Sequence, residues 1–208
     1  AHTGRAGPER AAISPCPDSD ATMPRMSAIT ALDETTWAGA TWPLGTHLRA
    51  DGVTFAVYAP AATRVQLEIY PEALGATASD TFLPARGADG IWRARLGGLE
   101  PGALVGFRVW GPNWPYDEAW TPGSDAGFIA DLDEQGNRFN PNKVLFDPYS
   151  REITHNVYTD DLGRLGVDDG VLGTGGELVD GAPRRRIDTA PYAPKGIVVA
   201  ESAAPDGK

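Results

Sequence analysis

The sequence predicts an all-β protein, an immunoglobulin-like β-sandwich with long irregular C-terminal loops and a disordered N-terminal tail. Three observations predict it. Several short segments alternate apolar and polar residues with a period of two, which is typical of half-buried antiparallel strands. Turn-forming residues separate these segments roughly every 8–12 residues, the spacing of sandwich domains. After Gly111 this periodicity is lost, and Pro, Asn, Gly and Asp become frequent.

Length and charge limit the classes of function. A chain of 208 residues is long enough for one domain with tails, or for two small domains. Its formal net charge of -10 and its pI of about 4.7 favour repulsion from phosphate backbones, so we expect no nucleic-acid partner. Neutral polysaccharides are compatible with this charge. No run of about 18 apolar residues occurs, so we expect no membrane span.

Residues 1–36 are predicted to be a disordered N-terminal extension. They are rich in Ala, Pro and Ser, and they show no periodicity. They also lack the apolar stretch of a secretory signal. The single cysteine, Cys16, cannot form an internal disulfide, which fits a reducing compartment. A cytoplasmic location is therefore expected, although export stays open.

Residues 37–155 are predicted to form the sandwich from six or so short strands. In each clear strand one set of alternating residues is apolar, and that set should face the core. The predicted inward-facing residues are Val53, Phe55, Val57, Val65, Leu67, Ile69, Trp92, Ala94, Leu96, Val105, Phe107 and Val109.

The C-terminal part is predicted to be mostly irregular. One helical turn is expected near Asn142–Phe146, where the Asp147-Pro148 pair would end it. Residues 156–191 are rich in Gly and Asp and are predicted to be a long loop or a linker. Residues 192–208 contain one last apolar strand, expected at Ile197–Ala200.

Gly106, Phe107 and Arg108 resemble the start of the "GFRxD" catalytic strand of the α-amylase superfamily. Trp110 occupies the position of the nucleophilic aspartate. A retaining glycosidase needs two carboxylates that flank the bond to be cleaved. We therefore assign no catalytic residue, and whether the chain belongs to an enzyme stays open at this point.

No strong metal motif is present. Residues 131–142 begin like a calcium loop, but Gln135 and Asn142 replace the ligands expected at positions five and twelve. An Asx-rich turn is the favoured interpretation, so we predict no metal ligands. The histidines lack metal-ligand spacing; they are His2, His47 and His155. The run Arg184–Arg186 is interpreted as solvated, or as a partner for an acidic surface of a neighbouring domain.

Four aromatic residues form the candidate substrate-binding site, and they are Trp110, Trp114, Tyr116 and Trp120. Exposed Trp and Tyr rings stack on the apolar faces of sugars, while nearby polar groups bind the hydroxyls. The same rings could instead cover the sandwich or pack against another domain. Residue types alone favour packing, and both interpretations stay open.

Longer motifs carry a resemblance to a known family. They are "RVWGPNWPY" at 108–116, "RFNPNKVLFDPYSREI" at 138–153 and "YAPKGIVV" at 192–199. With the opening stretch 42–70, they cover about residues 37–200 in the family's order. The chain resembles the N-terminal family 48 carbohydrate-binding module of isoamylases and glycogen-debranching enzymes, which belong to glycoside hydrolase family 13 of the α-amylase superfamily.

The resemblance implies a parent enzyme that hydrolyses α-1,6 branch linkages of glycogen or amylopectin. Its partners would be an α-glucan and a C-terminal catalytic barrel, and residues 192–208 would start the connection to that barrel. The catalytic carboxylates would lie beyond Lys208. The resemblance to isoamylases also implies a calcium ion in the parent, with one aspartate ligand at the position that Asn156 occupies here. We therefore expect no cofactor in this chain, and calcium only in the full-length parent.

Three hypotheses follow for the chain as given. In the first, the chain is a module of a debranching hydrolase and is inactive alone. In the second, it is a free-standing α-glucan-binding or scaffolding module. In the third, it is a calcium-stabilised structural domain. The first is favoured. An apolar patch offered to a neighbouring domain is predicted from Phe139, Leu145, Phe146 and Tyr149.

Overall fold

A computed structural model describes residues 28–156, 162–163, 169–179 and 181–200. Cys16, His2 and most of the predicted N-terminal extension lie outside these residues. Two antiparallel sheets account for most of the strands, as the all-β prediction required. The first sheet consists of β1 (Thr30–Ala31), β2 (Gly45–Arg49), β3 (Gly52–Tyr58), β6 (Ala85–Arg86) and β7 (Ile91–Gly97). The second consists of β4 (Arg64–Tyr70), β5 (Asp80–Phe82), β8 (Leu104–Trp110) and β11 (Gly196–Ile197).

The remaining elements are short. Strands β9 (Leu178–Val179) and β10 (Ala182–Pro183) form a separate two-stranded hairpin. Three 3₁₀ helices are present in the described part of the chain: η1 (Glu34–Gly39), η2 (Asp169–Leu172) and η3 (Arg184–Arg186). None of the helices in the described part is both long and apolar enough to cross a membrane.

The core lies between the two sheets, which have the strand orders β1-β7-β3-β2 and β11-β8-β4-β5. Strands β4 and β8 pair over seven residues, from Arg64 with Trp110 to Tyr70 with Leu104. All the predicted inward-facing residues belong to this core; Val57 is only partly buried. The period-two pattern therefore predicted the inner face of each long strand correctly.

Structure is present before the predicted boundary at residue 37, within the segment predicted to be disordered. Strand β1 pairs with β7, with Thr30 opposite Gly97. Trp37 is buried in the core, and its indole Nε1 donates a hydrogen bond to the carbonyl of Leu32 at 2.7 Å. These tertiary contacts order a segment that is too short to show a periodic pattern.

The C-terminal part is also more integrated than predicted. Strand β11 pairs with β8, and Val198 is fully buried in the core, so residues 192–200 complete the sandwich. The helical turn predicted near Asn142–Phe146 is wrong. Leu145 instead forms an antiparallel bridge with Phe107, because the free edge of β8 offers backbone partners there.

Candidate functional site

The second sheet is buried on both faces along much of its two long strands. On β4 and β8, four residues that point away from the core are as inaccessible as those within it: Glu68, Tyr70, Arg108 and Trp110. They are covered by a layer of loops made of residues 111–144, 169–179 and 181–195, which we call the loop layer. Val144 and Ala193 of this layer form a second small apolar cluster with Tyr70.

An ionic network lies between the sheet and the loop layer. The guanidinium of Arg108 pairs with Glu68 at 2.7 Å and with Asp188 at 2.8 Å, and it donates a further hydrogen bond to the carbonyl of Pro141 at 2.8 Å. Burial opposes the charge of Arg108, but the two carboxylates outweigh this effect, and the pKa of Arg108 lies above its ordinary value. The network therefore joins strands β4 and β8 to two separate loops.

Tyr70 extends this network. Its hydroxyl donates a short hydrogen bond to the second carboxylate oxygen of Glu68. Burial, together with the negative charge of Glu68, raises the pKa of Tyr70 far above its ordinary value. Tyr70 therefore stays protonated and acts as a hydrogen-bond donor.

Lys143 holds the loop layer together by three hydrogen bonds. Its ammonium donates to the carbonyls of Val171 at 2.7 Å, Arg184 at 2.8 Å and Ile187 at 2.8 Å. An ammonium group has three donors, so all of them are used. Burial lowers the pKa of Lys143 to about 8. One side chain thus connects the "NPNK" turn to two later segments of the chain.

Lys195 makes an equivalent connection near the end of the described chain. Its ammonium donates to the carbonyls of Ala190 at 2.5 Å and Ala73 at 3.0 Å. It also lies 4.7 Å from the ring centroid of Tyr70, within the range of a cation–π contact. Burial lowers the pKa of Lys195 to about 8 as well.

The structure brings three of the four predicted aromatic residues together. Trp110 is fully buried, and the rings of Tyr116 and Trp120 pack edge-on against it at centroid distances of 5.6 Å and 5.1 Å. Trp114 is 1% exposed and lies apart from this cluster. Its Nε1 donates to the carbonyl of Ala126 at 2.8 Å, and its ring packs edge-on against Phe128.

Only part of this aromatic cluster can be reached from solvent. Tyr116 is 42% exposed and Trp120 is half-buried. The guanidinium of Arg64 lies 3.9 Å from the centroid of the Tyr116 ring and covers one of its faces. A sugar could contact only the part of the Tyr116 ring that Arg64 and Trp110 leave exposed. A binding role for the four residues stays a prediction.

The segment that begins like a calcium loop uses its carboxylates internally. Asp133 accepts hydrogen bonds from the backbone amides of Gln135 and Asn137 and from the side chain of Asn137 at 2.8 Å. These bonds lower the pKa of Asp133, with the Asn137 side chain as the main cause. Asp131 pairs with Arg185 at 2.9 Å. Within the described ranges, no group of three or more His, Cys, Asp or Glu side chains could hold a metal ion.

The run Arg184–Arg186 pairs with acidic residues of the module itself. Arg185 binds Asp131, and its guanidinium also lies 4.5 Å from the Phe128 ring centroid. Arg184 and Arg186 lie within 4 Å of Glu177 and Asp125 respectively. The prediction of a solvated run is therefore wrong for Arg185, whose contacts help to fix η3 in the loop layer.

Sequence reasoning missed several buried charges, among them Glu68, Lys143 and Lys195, and also the partly buried Asp188. One signal could have indicated the lysines. The chain has only three lysines, and two of them stand in segments with prolines and apolar residues, "NPNKVLF" and "YAPKGIVV". A lysine in such surroundings is buried only when its charge has partners.

Fold and site together define a β-sandwich module. The loop layer of the module itself covers much of its second sheet. The chain belongs to the family described as carbohydrate-binding module 48 (isoamylase N-terminal domain), which matches residues 43–150.

Similar proteins agree with this assignment. An isoamylase from Pseudomonas amyloderamosa is 36% identical over 162 residues, which cover 74% of this chain and 20% of the relative. An isoamylase from Flavobacterium sp is 38% identical over 160 residues, and a glycogen debranching enzyme from Erwinia tasmaniensis is 33% identical over 159 residues. Each match spans about a fifth of the relative's length.

Solved structures give a weaker likeness. The catalytic module of the glycogen-degrading pneumococcal virulence factor SpuA superposes with a TM-score of 0.41 at 14% identity, over 80% of this chain and 17% of that one. This superposition is too loose to add to the sequence evidence.

Proposed function

We propose that this chain is the N-terminal module of a debranching hydrolase that cleaves α-1,6 branch linkages of glycogen or amylopectin. The observation that carries the proposal is the family match over residues 43–150, together with relatives named isoamylase and glycogen debranching enzyme that share a third or more of the aligned residues. The chain spans only a fifth of those relatives, so the proposal assigns the catalytic carboxylates to a barrel in the rest of the protein.

The packing of the module is consistent with a supporting role rather than a catalytic one. In place of the aspartate of a "GFRxD" strand stands Trp110, whose ring is fully buried between Tyr116 and Trp120. Arg108 in the same strand is engaged by Glu68 and Asp188. These side chains stabilise a rigid platform, which suits a domain that positions a catalytic partner.

The experiment compares two proteins in one assay. The 208-residue chain and the protein encoded by the complete reading frame are incubated with amylopectin, and the loss of α-1,6 linkages is measured together with the release of reducing ends. We expect hydrolysis by the longer protein and none by the 208-residue chain. Hydrolysis by the short chain, or no α-1,6 cleavage by the longer protein, would contradict the proposal.

A second candidate function is binding of an α-glucan by the module itself, and the exposure of Tyr116 favours it. In this proposal the exposed part of the Tyr116 ring and the accessible part of Trp120 contact the sugar, while the buried Trp110 and Trp114 hold the surrounding loops. Affinity electrophoresis in gels that contain glycogen tests it. Retention should fall for Tyr116→Ala and for Trp120→Ala, and the melting temperature should hold for Tyr116→Ala.

The chain offers a matched control for that test. Tyr149 is also an exposed tyrosine, and it lies outside the aromatic cluster. Retention should therefore be unchanged in Tyr149→Ala. If wild-type protein is not retarded by glycogen, or if both tyrosine variants lose retention equally, the aromatic cluster is not a glucan site.

Calcium remains a proposal for the longer protein only. Asn156 could offer one neutral amide oxygen, whereas calcium takes about 6–8 oxygen ligands. Among the described residues no group of three or more His, Cys, Asp or Glu side chains could hold a metal ion, and Asp131 and Asp133 have hydrogen-bond partners within the module. We expect the melting temperature of the 208-residue chain to be the same with calcium and with a chelator. A shift that the chelator reverses would support the third hypothesis, a calcium-stabilised domain.

A further inference from the structure

Arg64 carries a positive charge that no carboxylate in the described part of the chain neutralises. Its guanidinium carbon lies 3.9 Å from the ring centroid of Tyr116 and 5.7 Å from that of Trp110. Among the ion pairs and hydrogen bonds of the described residues, none involves the Arg64 side chain, whereas Arg93, for example, binds Asp89. In a chain with a formal net charge of -10, an arginine without a carboxylate partner is unexpected.

The side chain of Arg64 is held in place. Arg64 is the first residue of β4 and pairs there with Trp110 of β8. The side chain is half-buried, and its Nε is inaccessible to solvent. The two terminal nitrogens also lack a hydrogen-bond partner, and they are not buried. A donor group that is fixed by ring contacts loses little conformational entropy when it binds a ligand.

The guanidinium of Arg64 is suited to an oxyanion. Its N–H donors lie in the plane of the group, so contact between its face and an aromatic ring leaves them free. Two neighbouring donors match two oxygens of a carboxylate or a phosphate, and such bonds are about twice as strong as bonds between neutral groups. A phosphate monoester offers three acceptor oxygens and a charge of about -1.5 to -2 at pH 7.

The aromatic surroundings of Arg64 indicate what carries the oxyanion. The rings of Tyr116 and Trp120 pack edge-on against Trp110, and both are partly accessible. Such rings contact the apolar faces of sugars. A glucose unit that carries a phosphate monoester combines the sugar ring and the oxyanion in one group. It can therefore contact the ring of Tyr116 and the terminal nitrogens of Arg64 at the same time.

We propose that Arg64, Tyr116 and Trp120 form a subsite for a phosphorylated glucose unit of an α-glucan. This inference rests on the second candidate function, glucan binding at the aromatic cluster, and it names a substrate class for that site. The phosphate oxygens accept hydrogen bonds from the terminal nitrogens of Arg64, and the sugar ring lies against the exposed part of Tyr116.

The acidic character of the chain is compatible with this ligand. A nucleic acid presents a continuous row of phosphates, whereas a phosphorylated glucan presents single phosphates among neutral sugars. Salt screens charges that are more than about 8 Å apart at physiological ionic strength, so the nearest charges dominate. Asp117 and Glu118 follow Tyr116 in the sequence and are exposed. Asp117 accepts a hydrogen bond from the amide of Ala119 at 2.8 Å, and neither carboxylate pairs with Arg64.

A magnetic-resonance titration of the isotope-labelled 208-residue chain tests the inference. The ligands are maltoheptaose, maltoheptaose with one phosphate monoester on a glucose unit, and inorganic phosphate. The phosphorylated oligosaccharide should bind at least about tenfold more tightly than maltoheptaose, because hydrogen bonds to a charged group are the stronger ones. Inorganic phosphate should bind more weakly than the phosphorylated oligosaccharide, since it lacks the sugar ring. Equal affinities for the two oligosaccharides would overturn the inference, and so would inorganic phosphate that binds as tightly as the phosphorylated one.

Variants assign the preference for phosphate to Arg64. Arg64→Gln removes the charge and should bind both oligosaccharides with equal affinity, whereas Arg64→Lys keeps a cation without the planar fork and should retain part of the preference. Arg138→Gln is the matched control, because Arg138 is exposed and lies outside the aromatic cluster, and it should keep the full preference. The melting temperature of each variant shows whether it is folded. A preference that survives Arg64→Gln, or that Arg138→Gln also abolishes, would overturn the subsite.

The proposals fail separately. Equal binding of both oligosaccharides that Tyr116→Ala weakens contradicts the phosphate subsite and leaves glucan binding at the aromatic cluster intact. A complete lack of binding contradicts both of these and leaves the debranching proposal intact. Phosphate-dependent binding by the module of a longer protein that cleaves no α-1,6 linkage supports the subsite and contradicts the debranching proposal.

Discussion

Replacing Lys143 by methionine should detach much of the loop layer from the rest of the module. Methionine keeps the length and apolar character of the stem and removes the ammonium. The carbonyls of Val171, Arg184 and Ile187 then lose a donor that lies 2.7–2.8 Å away. A buried acceptor without a donor costs about 1–3 kcal/mol.

The low end of that range applies, because removal of the buried ammonium also removes its desolvation cost. Three carbonyls at about 1 kcal/mol each give a loss of about 3 kcal/mol in the free energy of unfolding. Urea unfolding at pH 7, followed by tryptophan fluorescence, measures it. Arg138→Met is the control, because it removes an exposed cation and should stay within about 0.5 kcal/mol of wild type. A loss below about 1 kcal/mol in Lys143→Met would refute the reasoning.

Three further changes test other parts of the structure. A Cβ at Gly111 would overlap the ring of Phe139, so Gly111→Ala should destabilise the fold by about 1–3 kcal/mol in urea unfolding. Gly39 has open space around its Cα, so Gly39→Ala should not destabilise the fold in this way. Equal effects of the two substitutions would argue against the packing of Phe139 on Gly111. Trp114→Ala should cost about 3–5 kcal/mol, measured in the same way, since it empties a buried site; an unchanged unfolding midpoint would contradict that burial. Between pH 8 and 10 the free energy of unfolding should rise with pH. In this range the buried Lys143 and Lys195 have lost their protons in the folded chain, whereas the unfolded chain still binds those protons. Denaturant titrations at several pH values check this rise, which should shrink in Lys143→Met.

The inner faces of the long strands could be predicted because each alternates with a period of two. Val53 and Phe55 on β3, or Val65 and Leu67 on β4, face the core that this pattern requires. The edges of the fold could not be predicted in that way. Strands β1 and β11 have two residues each, and they are strands only because longer neighbours offer free backbone groups.

The candidate site was harder to predict than the fold. Sequence reasoning selected Trp110, Trp114, Tyr116 and Trp120 by residue type, and three of them do form one cluster. Their exposure depends on the loop layer, whose position is fixed by contacts between residues far apart in sequence. Lys143 reaches the carbonyl of Ile187 and Arg108 reaches Asp188, and no local pattern encodes such contacts.

The central claim is that this module supports a catalytic domain encoded in the same reading frame. The nucleotide sequence downstream of codon 208 tests it most directly. The account predicts an open frame that continues into a barrel with a "GFRxD" strand and a second catalytic carboxylate. A stop codon directly after codon 208, in a frame confirmed from the native gene, would contradict the claim.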